Sequence, residues 1–309
     1  MKTILLLMGI LYSSFLLATP ECDYHFSLSN ATIEITEGAQ VIEQKLSIWR
    51  GQNSPDGRCS RYRVFFSKGL ANDYQRQAKS IWGRSLNYNL HKSVNQVGIL
   101  KDINDAVNSN EFLEGVAPHK FTTYRDEFFI SVPGLKGSNI VSGLYYDNLQ
   151  VTIYGYNESS GKYLFEETTT FTFLTFIPKR VQVSIIDEGG SFDPSSTSKT
   201  LDFGLLSQNQ EKSADIRVVS NGSYRLKLSS QNNSKLKQGQ GETIAYSLNV
   251  NGNNVSLATS SANPVTIGSG GTTSEAGDRY NLRIKILENT THKSAGVYQD
   301  AITITAIAN

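Results

Sequence analysis

Four histidines, His25, His91, His119 and His292, are the first residues to test for chemistry, because imidazole serves both as metal ligand and as general base. They are scattered, with no His-x-x-x-His pair and no mixed Cys/His cluster, so no metal centre is expected and each reads as a surface or strand histidine. Gly268-Ser269-Gly270-Gly271 is glycine-rich but lacks the lysine of a phosphate loop, which makes it a flexible connection. Asp102, Asn104 and Asp105 begin like a calcium loop and fail at Ala106, Val107 and Leu113, where an oxygen ligand, a glycine and a glutamate belong. No Gly-x-Ser-x-Gly elbow occurs. Glycoside hydrolysis needs only two well-placed carboxylates, which spacing alone does not reveal. The sequence is read as that of a non-enzyme without cofactor.

Cys22 and Cys59 are the only cysteines. Met1 to Ala18 reads as a secretory signal: Lys2 gives the positive start, Ile4 to Leu17 the apolar stretch and Ala18 the small residue near the cut. That stretch, interrupted by Ser13 and Ser14, is shorter than the roughly 20 residues a spanning helix needs. Pro20 and Glu21 ahead of Cys22 argue against a lipid-anchored cysteine. In an exported chain an even count without metal-like spacing predicts one disulfide, Cys22 to Cys59. Closing that loop stabilises by roughly 4 kcal/mol in the chain-entropy model. Lys+Arg (29) and Asp+Glu (28) nearly cancel, which leaves no field to hold nucleic acid by counterion release.

The elements that must position these residues read as strands. Apolar residues alternate at Ile33 and Ile35, Val64 and Phe66, Val151 and Ile153, and Phe171, Phe173 and Phe176. The second half does the same at Val181, Val183 and Ile185, Ile216 and Val218, Leu226 and Leu228, Leu282, Ile284 and Ile286, and Ile302 and Ile304. Asn251-Gly252 between Tyr246–Val250 and Val255–Leu257 predicts a hairpin whose two central residues take positive φ. One stretch, Ile99 to Leu113, has helical spacing, with Ile99, Ile103, Ala106 and Val107 on one face, and is expected as a short inserted helix. A chain of 309 residues suggests about two domains at roughly 150 residues each.

The chain also repeats itself. Tyr62-Arg63 with Ser67 recurs as Tyr224-Arg225 with Ser229, an offset of 162. Leu86, Tyr88 and Leu90 recur as Ile244, Tyr246 and Leu248, an offset of 158. Gly143 to Thr152 recurs as Gly296 to Thr305, an offset of 153. After Ile153 the first copy turns at Asn157 to Gly161 and continues through Leu164 to Phe176, a last strand of its own. The second reaches Asn309 four residues after Thr305, so its last strand is expected to be missing. The fold expected is all-β: two tandem immunoglobulin-like β-sandwich domains, the C-terminal one lacking its last strand. The expected limits are 1–18 for the signal, 19–177 and 181–309 for the domains, and Pro178-Lys179-Arg180 for the linker. A sandwich short of a strand exposes an edge and an apolar groove, expected at Tyr298, Ile302, Ile304 and Ala306, which a strand of another chain can fill. Alternatively Val181 to Ile186 closes the gap.

The Gly-x-Tyr-x-Asp-x-apolar-x-apolar-Thr ending, Leu201-Asp202-Phe203-Gly204, Tyr224-Arg225-Leu226 and Ile244-Ala245-Tyr246-Ser247-Leu248 resemble the spore coat protein U-like pilin domain of archaic chaperone-usher pili. The likeness covers the second half well and the first more loosely, through Cys59, Tyr62, Leu86 to Leu90 and Gly143 to Thr152. The two-domain layout is similar to that family's tip adhesin. The resemblance implies a periplasmic pilus chaperone, an outer-membrane usher and the donor strand of an adjacent pilin subunit as partners. It also implies export through the periplasm to the pilus tip, where the chain attaches to an abiotic or host surface and supports biofilm formation. Cys22 follows the signal so closely that the chain is expected to accept a strand and have none to give. One departure is that the family's second cysteine pair is missing here: near Asn221, where Cys59 matches, there is none. Two other readings remain, a stand-alone secreted carbohydrate-binding β-sandwich protein and a pilus shaft subunit.

The first copy holds 23 aromatics and residues 179–309 only six, a contrast larger than the difference in size explains, part of it core. Most of Phe65, Phe128, Phe129, Phe171 and Phe173 are assigned to buried faces. If the last strand ends at the Pro178 joint, the turn Tyr154 to Tyr163 lies at the far pole. The connections Lys68 to Ser85 and Gly115 to Lys120 are expected to share that pole. The expected surface-binding residues are Leu70, Tyr74, Ile81, Trp82, Val116, Ala117, Pro118, Tyr154, Tyr156 and Tyr163.

Overall fold

The computed structural model describes residues 22–36, 38–55, 57–134, 140–239 and 241–309; the expected signal, Met1 to Ala18, lies outside them. Among the described residues there is no helix. The strands of the first half are β1 (Tyr24–Leu28), β2 (Ala31–Glu34), β3 (Gln40–Arg50), β4 (Cys59–Phe66), β5 (Gln77–Ser80), β6 (Ser85–Asn87), β7 (Asn89–His91), β8 (Leu113–Val116), β9 (Tyr124–Val132), β10 (Gly143–Asn157) and β11 (Lys162–Ile177). Those of the second are β12 (Val181–Ile186), β13 (Glu211–Ser220), β14 (Tyr224–Ser230), β15 (Lys235–Lys237), β16 (Thr243–Val250), β17 (Asn253–Val255), β18 (Val265–Gly270), β19 (Asp278–Ile286) and β20 (Ile302–Ala308).

Alternation along these strands puts one face inward, and two sheets close over each core. In the first half β1-β3-β9-β7 faces β2-β11-β10-β4-β8, with the β5–β6 hairpin on the part of β10 that β4 leaves unpaired. Phe66, Phe128, Val151, Phe171 and Phe173 meet in its core with no exposed surface. In the second half β12-β13-β19-β16 faces β18-β14-β20, around Ile216, Leu226, Leu228, Leu248 and Leu282. The Asn251-Gly252 turn joins β16 to β17 with φ of 50° and 85°, as the hairpin pattern predicts.

The internal repeat is a repeat of register. Val151 lies opposite Phe66 on β10 and β4, and Ile304 lies opposite Leu228 on β20 and β14. The shifts are the 153 and 162 read from the sequence. Tyr146 opposite Lys79 recurs as the bridge between Gln299 and Lys237. Side-chain bonds recur too. Tyr88 donates to Asp147 at 2.7 Å and Tyr246 to Asp300 at 2.6 Å. Tyr62 reaches Asp126, and Tyr224 reaches Asp278. Tyr145 donates back to Val141 O at 2.8 Å and Tyr298 to Ser294 O at 3.0 Å, the tyrosine corner that marks the next-to-last strand of an immunoglobulin-like sandwich.

Two expectations are corrected. Ile99 to Leu113 is a turn-rich excursion, not a helix. The Asp102 carboxylate takes the N–H of Asn104 there, and Glu111 takes the N–H groups of Val107 and Asn108 together with Lys101 Nζ. Those bonds hold the Glu111 carboxyl down at about 2, Lys101 first among the causes. Val181 to Ile186 does not close the second sandwich: β12 pairs with β13, as β1 pairs with β3.

Cys22 and Cys59 form the disulfide expected of them. At the position matching Cys59, Asn221 ties down the joint instead. Its Nδ2 donates to Pro178 O at 3.0 Å, its Oδ1 accepts from Arg180 N–H at 2.7 Å, and its carbonyl accepts from Ser142 N–H at 2.8 Å.

Candidate functional site

In the first half β11 lies between β10 and β2, antiparallel to one and parallel to the other. Among the described residues β20, the counterpart of β10, pairs with β14 on one side and with no strand on the other. Gln150 exchanges bonds with Ser67 of the β4 side, so even-numbered residues of β10 point their amides to β4 and odd-numbered ones to β11. Shifted by 153, the amides of Ile302, Ile304 and Ala306 face the unpaired side of β20.

The side chains match this unpaired edge. Leu149, Val151 and Ile153 have no exposed surface, while Ile302, Ile304 and Ala306 are half-buried. So are Val181 and Val183 on β12, and Leu201, Phe203 and Leu206 in the segment that precedes β13 as β2 precedes β3. Asp147 is fully buried; Asp300 is not. Burial raises the Asp147 carboxyl above its usual range, with hydrogen bonds from Leu70, Tyr88 and Asn148 pulling the other way. Of the predicted edge residues, Tyr298 is anchored to Ser294 O and Glu242 ahead of β20, and the other three line the groove.

The predicted surface-binding residues do not form one cluster. β10 runs from the joint, where Gly143 faces Ile177, to the far pole, where Asn157 faces Cys59. Val116 faces Arg61 near that pole, and Pro118 follows; both are exposed. Ala117 between them is fully buried and drops out of the surface. Ile81 and Trp82, 76% and 83% exposed, cap the β5–β6 hairpin, and Ser80 lies opposite Tyr145. Their hairpin therefore points to the joint, away from the Tyr154–Tyr163 turn, because β4 ends at Phe66 and leaves the joint end of β10 to β5. Leu70 and Tyr74 sit between the poles: Leu70 N–H bonds to Asp147, and the Tyr74 hydroxyl, pushed up to about 12 chiefly by burial, bonds to Asp105.

Tyr154, Tyr156 and Tyr163 lie on the outer face of the sheet near the far pole. Tyr154 meets Phe65 edge-on at 5.5 Å, and Tyr156 lies 5.0 Å from Tyr163. Phe65 is thus buried on this outer face, not in the core cluster, and Phe129 is only half-buried. Arg61 covers Tyr156 at 3.9 Å and Arg63 covers Tyr163 at 4.2 Å, occupying faces on which a sugar would stack.

The pole has one residue that spacing did not suggest. Phe121 is 73% exposed at φ +60°, a conformation a bulky side chain adopts only when its surroundings impose it. Arg50, 2% exposed, supplies the constraint. Its guanidinium donates to Ser54 Oγ and to the carbonyls of Pro55 and Pro118, and its own carbonyl holds Phe121 N–H at 3.1 Å. Two histidines are structural: His25 bonds to Asp23 and Glu167, and His91 to Gly98 O and Ser131.

Fold and edge together define a class: tandem immunoglobulin-like sandwiches, the second with one side of β20 unpaired among the described residues. No protein-family model matches this chain, and no curated protein matches it. Among solved structures, it is similar to a chain of the CsuC–CsuE chaperone–tip adhesion subunit pre-assembly complex from archaic chaperone-usher Csu pili of Acinetobacter baumannii. That match covers 91% of this chain and 99% of the other at 15% identity and a TM-score of 0.46. The chain is also similar to the CupB6 tip adhesin from Pseudomonas aeruginosa, over 92% and 94% at 12% identity and a TM-score of 0.41.

Proposed function

We propose that this chain is the adhesive subunit of a chaperone-usher fibre, its second half completed by a strand from a neighbouring subunit and its first half turned to a surface. The open side of β20 carries the reading. The second sandwich repeats the first register for register and, among the described residues, has no strand where β11 stands. An edge with half-exposed Ile302, Ile304 and Ala306 either aggregates or takes up a strand, and strand addition satisfies its amides and its groove together. In this reading a periplasmic chaperone protects the groove, an outer-membrane usher receives the subunit, and the chain stands at the pilus tip, exported to the cell surface, where it mediates attachment and biofilm formation. The attaching surface is the far pole, where Phe121, Val116 and Pro118 present apolar side chains on an Arg50-braced frame.

The test sets Ile304→Arg, which drives a charge into the groove, against Thr303→Arg, which points the same charge outward. Co-expressed in a bacterial periplasm with a fibre chaperone, wild type and Thr303→Arg co-purify with it and Ile304→Arg does not. Equal recovery of all three refutes the groove as the assembly site.

A further inference from the structure

The first half contains a worked example of the strand that has no counterpart beside β20 among the described residues. Along β11, Phe171, Phe173, Thr175 and Ile177 point inward, each with no exposed surface. They lie opposite Leu149, Asp147, Tyr145 and Gly143 of β10. The shift of 153 that carries β10 onto β20 turns those four positions into Ile302, Asp300, Tyr298 and Gly296.

Each inward residue of β11 has a defined task. Phe173 stacks on Tyr88 with centroids 4.2 Å apart and planes 14° apart, and so seals the Tyr88–Asp147 bond from water. The same bond exists in the second half between Tyr246 and Asp300, where the carboxylate is only half-buried. Phe171 meets Phe128 edge-on at 5.7 Å. Carried by the spacing of Asp126 and Asp278, the counterpart of Phe128 is Tyr280, another aromatic, 8% exposed. Thr175 donates its hydroxyl to Ile33 O of β2 at 2.7 Å, spending its polarity on the neighbouring segment. Ile177 lies opposite Gly143, and the second half again has glycine there, Gly296.

We propose that the strand entering beside β20 runs antiparallel to it in one register, with aromatic side chains opposite Asp300 and Ile302, a small hydroxyl residue opposite Tyr298 and an aliphatic one opposite Gly296. This rests on the acceptor reading above and narrows it, since alternation alone admits any register that differs by two residues. The partner is a strand of a second polypeptide carrying the order aromatic-x-aromatic-x-Ser/Thr-x-aliphatic. The aromatic opposite Asp300 closes the polar end of the groove, and an aliphatic chain there leaves the carboxylate hydrated.

The test grafts residues Asn157–Ile177 after Asn309 of the full chain, in frame, because Asn309 matches Tyr156. A second graft carries Phe171→Thr and Thr175→Phe within the added segment only, keeping composition and alternation while moving the aromatic pair two places. A third carries Phe171→Ser and Phe173→Ser there. Hydrogen exchange of the β20 amides is read by mass spectrometry. The in-frame graft slows exchange by about a hundredfold or more relative to the unextended chain, and the other two by about tenfold or less. Equal protection by the first two grafts overturns the register and leaves the acceptor intact. No protection by any graft overturns the acceptor itself.

Discussion

Glu166 offers a quantitative check on the physics of the first half. It lies on β11 beneath the disulfide, 7% exposed, with Oε1 accepting Cys22 N–H at 2.9 Å and Oε2 accepting Tyr24 N–H at 3.3 Å. Burial outweighs those bonds and raises its pKa from 4.5 to about 7. The folded state therefore holds a proton that the unfolded state releases. This stabilisation is fully present below about pH 4.5 and lost as pH rises through about 7. The gap corresponds to about 3 kcal/mol. Asp126 and Asp147, also raised by burial, act with the same sign, and His91, lowered by burial, acts against them. Comparing wild type with Glu166→Gln isolates the one group. Both tryptophans, Trp49 and Trp82, are in the first half, so their fluorescence in urea at pH 5, 6 and 7.5 reports on that half alone. The slope with pH is the readout, because glutamine turns a donor toward Tyr24 N–H at every pH. Wild type loses stability from pH 5 to 7.5 and the variant loses less, by an amount approaching that figure. Identical slopes refute the assignment.

Tyr88→Phe costs about 1.5–3 kcal/mol by urea denaturation, since it strips a donor from the buried Asp147, whereas Tyr246→Phe costs less than about 1 kcal/mol by hydrogen exchange, because water reaches Asp300. Equal costs would mean that the two grooves are equally closed. Reducing Cys22–Cys59 lowers the stability of the first half by roughly 4 kcal/mol in fluorescence-monitored unfolding and leaves exchange in β13 and β19 unchanged. Loss of protection in those strands would show that the halves unfold as one. Val116→Ser combined with Phe121→Ser reduces adhesion of assembled fibres to polystyrene, measured by quartz crystal microbalance, while Ile81→Ala combined with Trp82→Ala leaves it intact. The opposite outcome returns the binding surface to the joint side of the molecule.

The strands and the duplication were readable because both are local or self-referential. Alternation marks a face, and the offsets 162, 158 and 153 reappear as pairings of Phe66 with Val151, Lys79 with Tyr146 and their copies. What failed depended on chain direction or on competition. The Ile99–Leu113 spacing fits a helix until the Asp102 and Glu111 carboxylates claim the backbone. Ile81 and Trp82 lie toward the joint and not at the expected pole, because alternation does not say that β4 stops halfway along β10. Phe121 left no trace, since Lys120-Phe121-Thr122 contains none of the residues that favour positive φ. The Tyr88–Asp147 pair was present in the matched segments, but only the fold shows that the two residues touch.

β11 passes straight from its sheet into the joint, Ile177 to Pro178, so tension between the halves enters the first sandwich along the axis of that strand. It is held on both edges, by β10 over its whole length and by β2 at Ala31–Glu34. Drawn lengthwise, such a strand must slide past its neighbours and strain many ladder bonds at once, where a strand pulled from one end at right angles peels them off singly. Resistance to pulling is set by the unfolding barrier and not by the equilibrium stability. A strand docked along β20 meets the second sandwich in the same sliding geometry. In the proposed assembly, drag at the far pole is then resisted in shear at each sandwich.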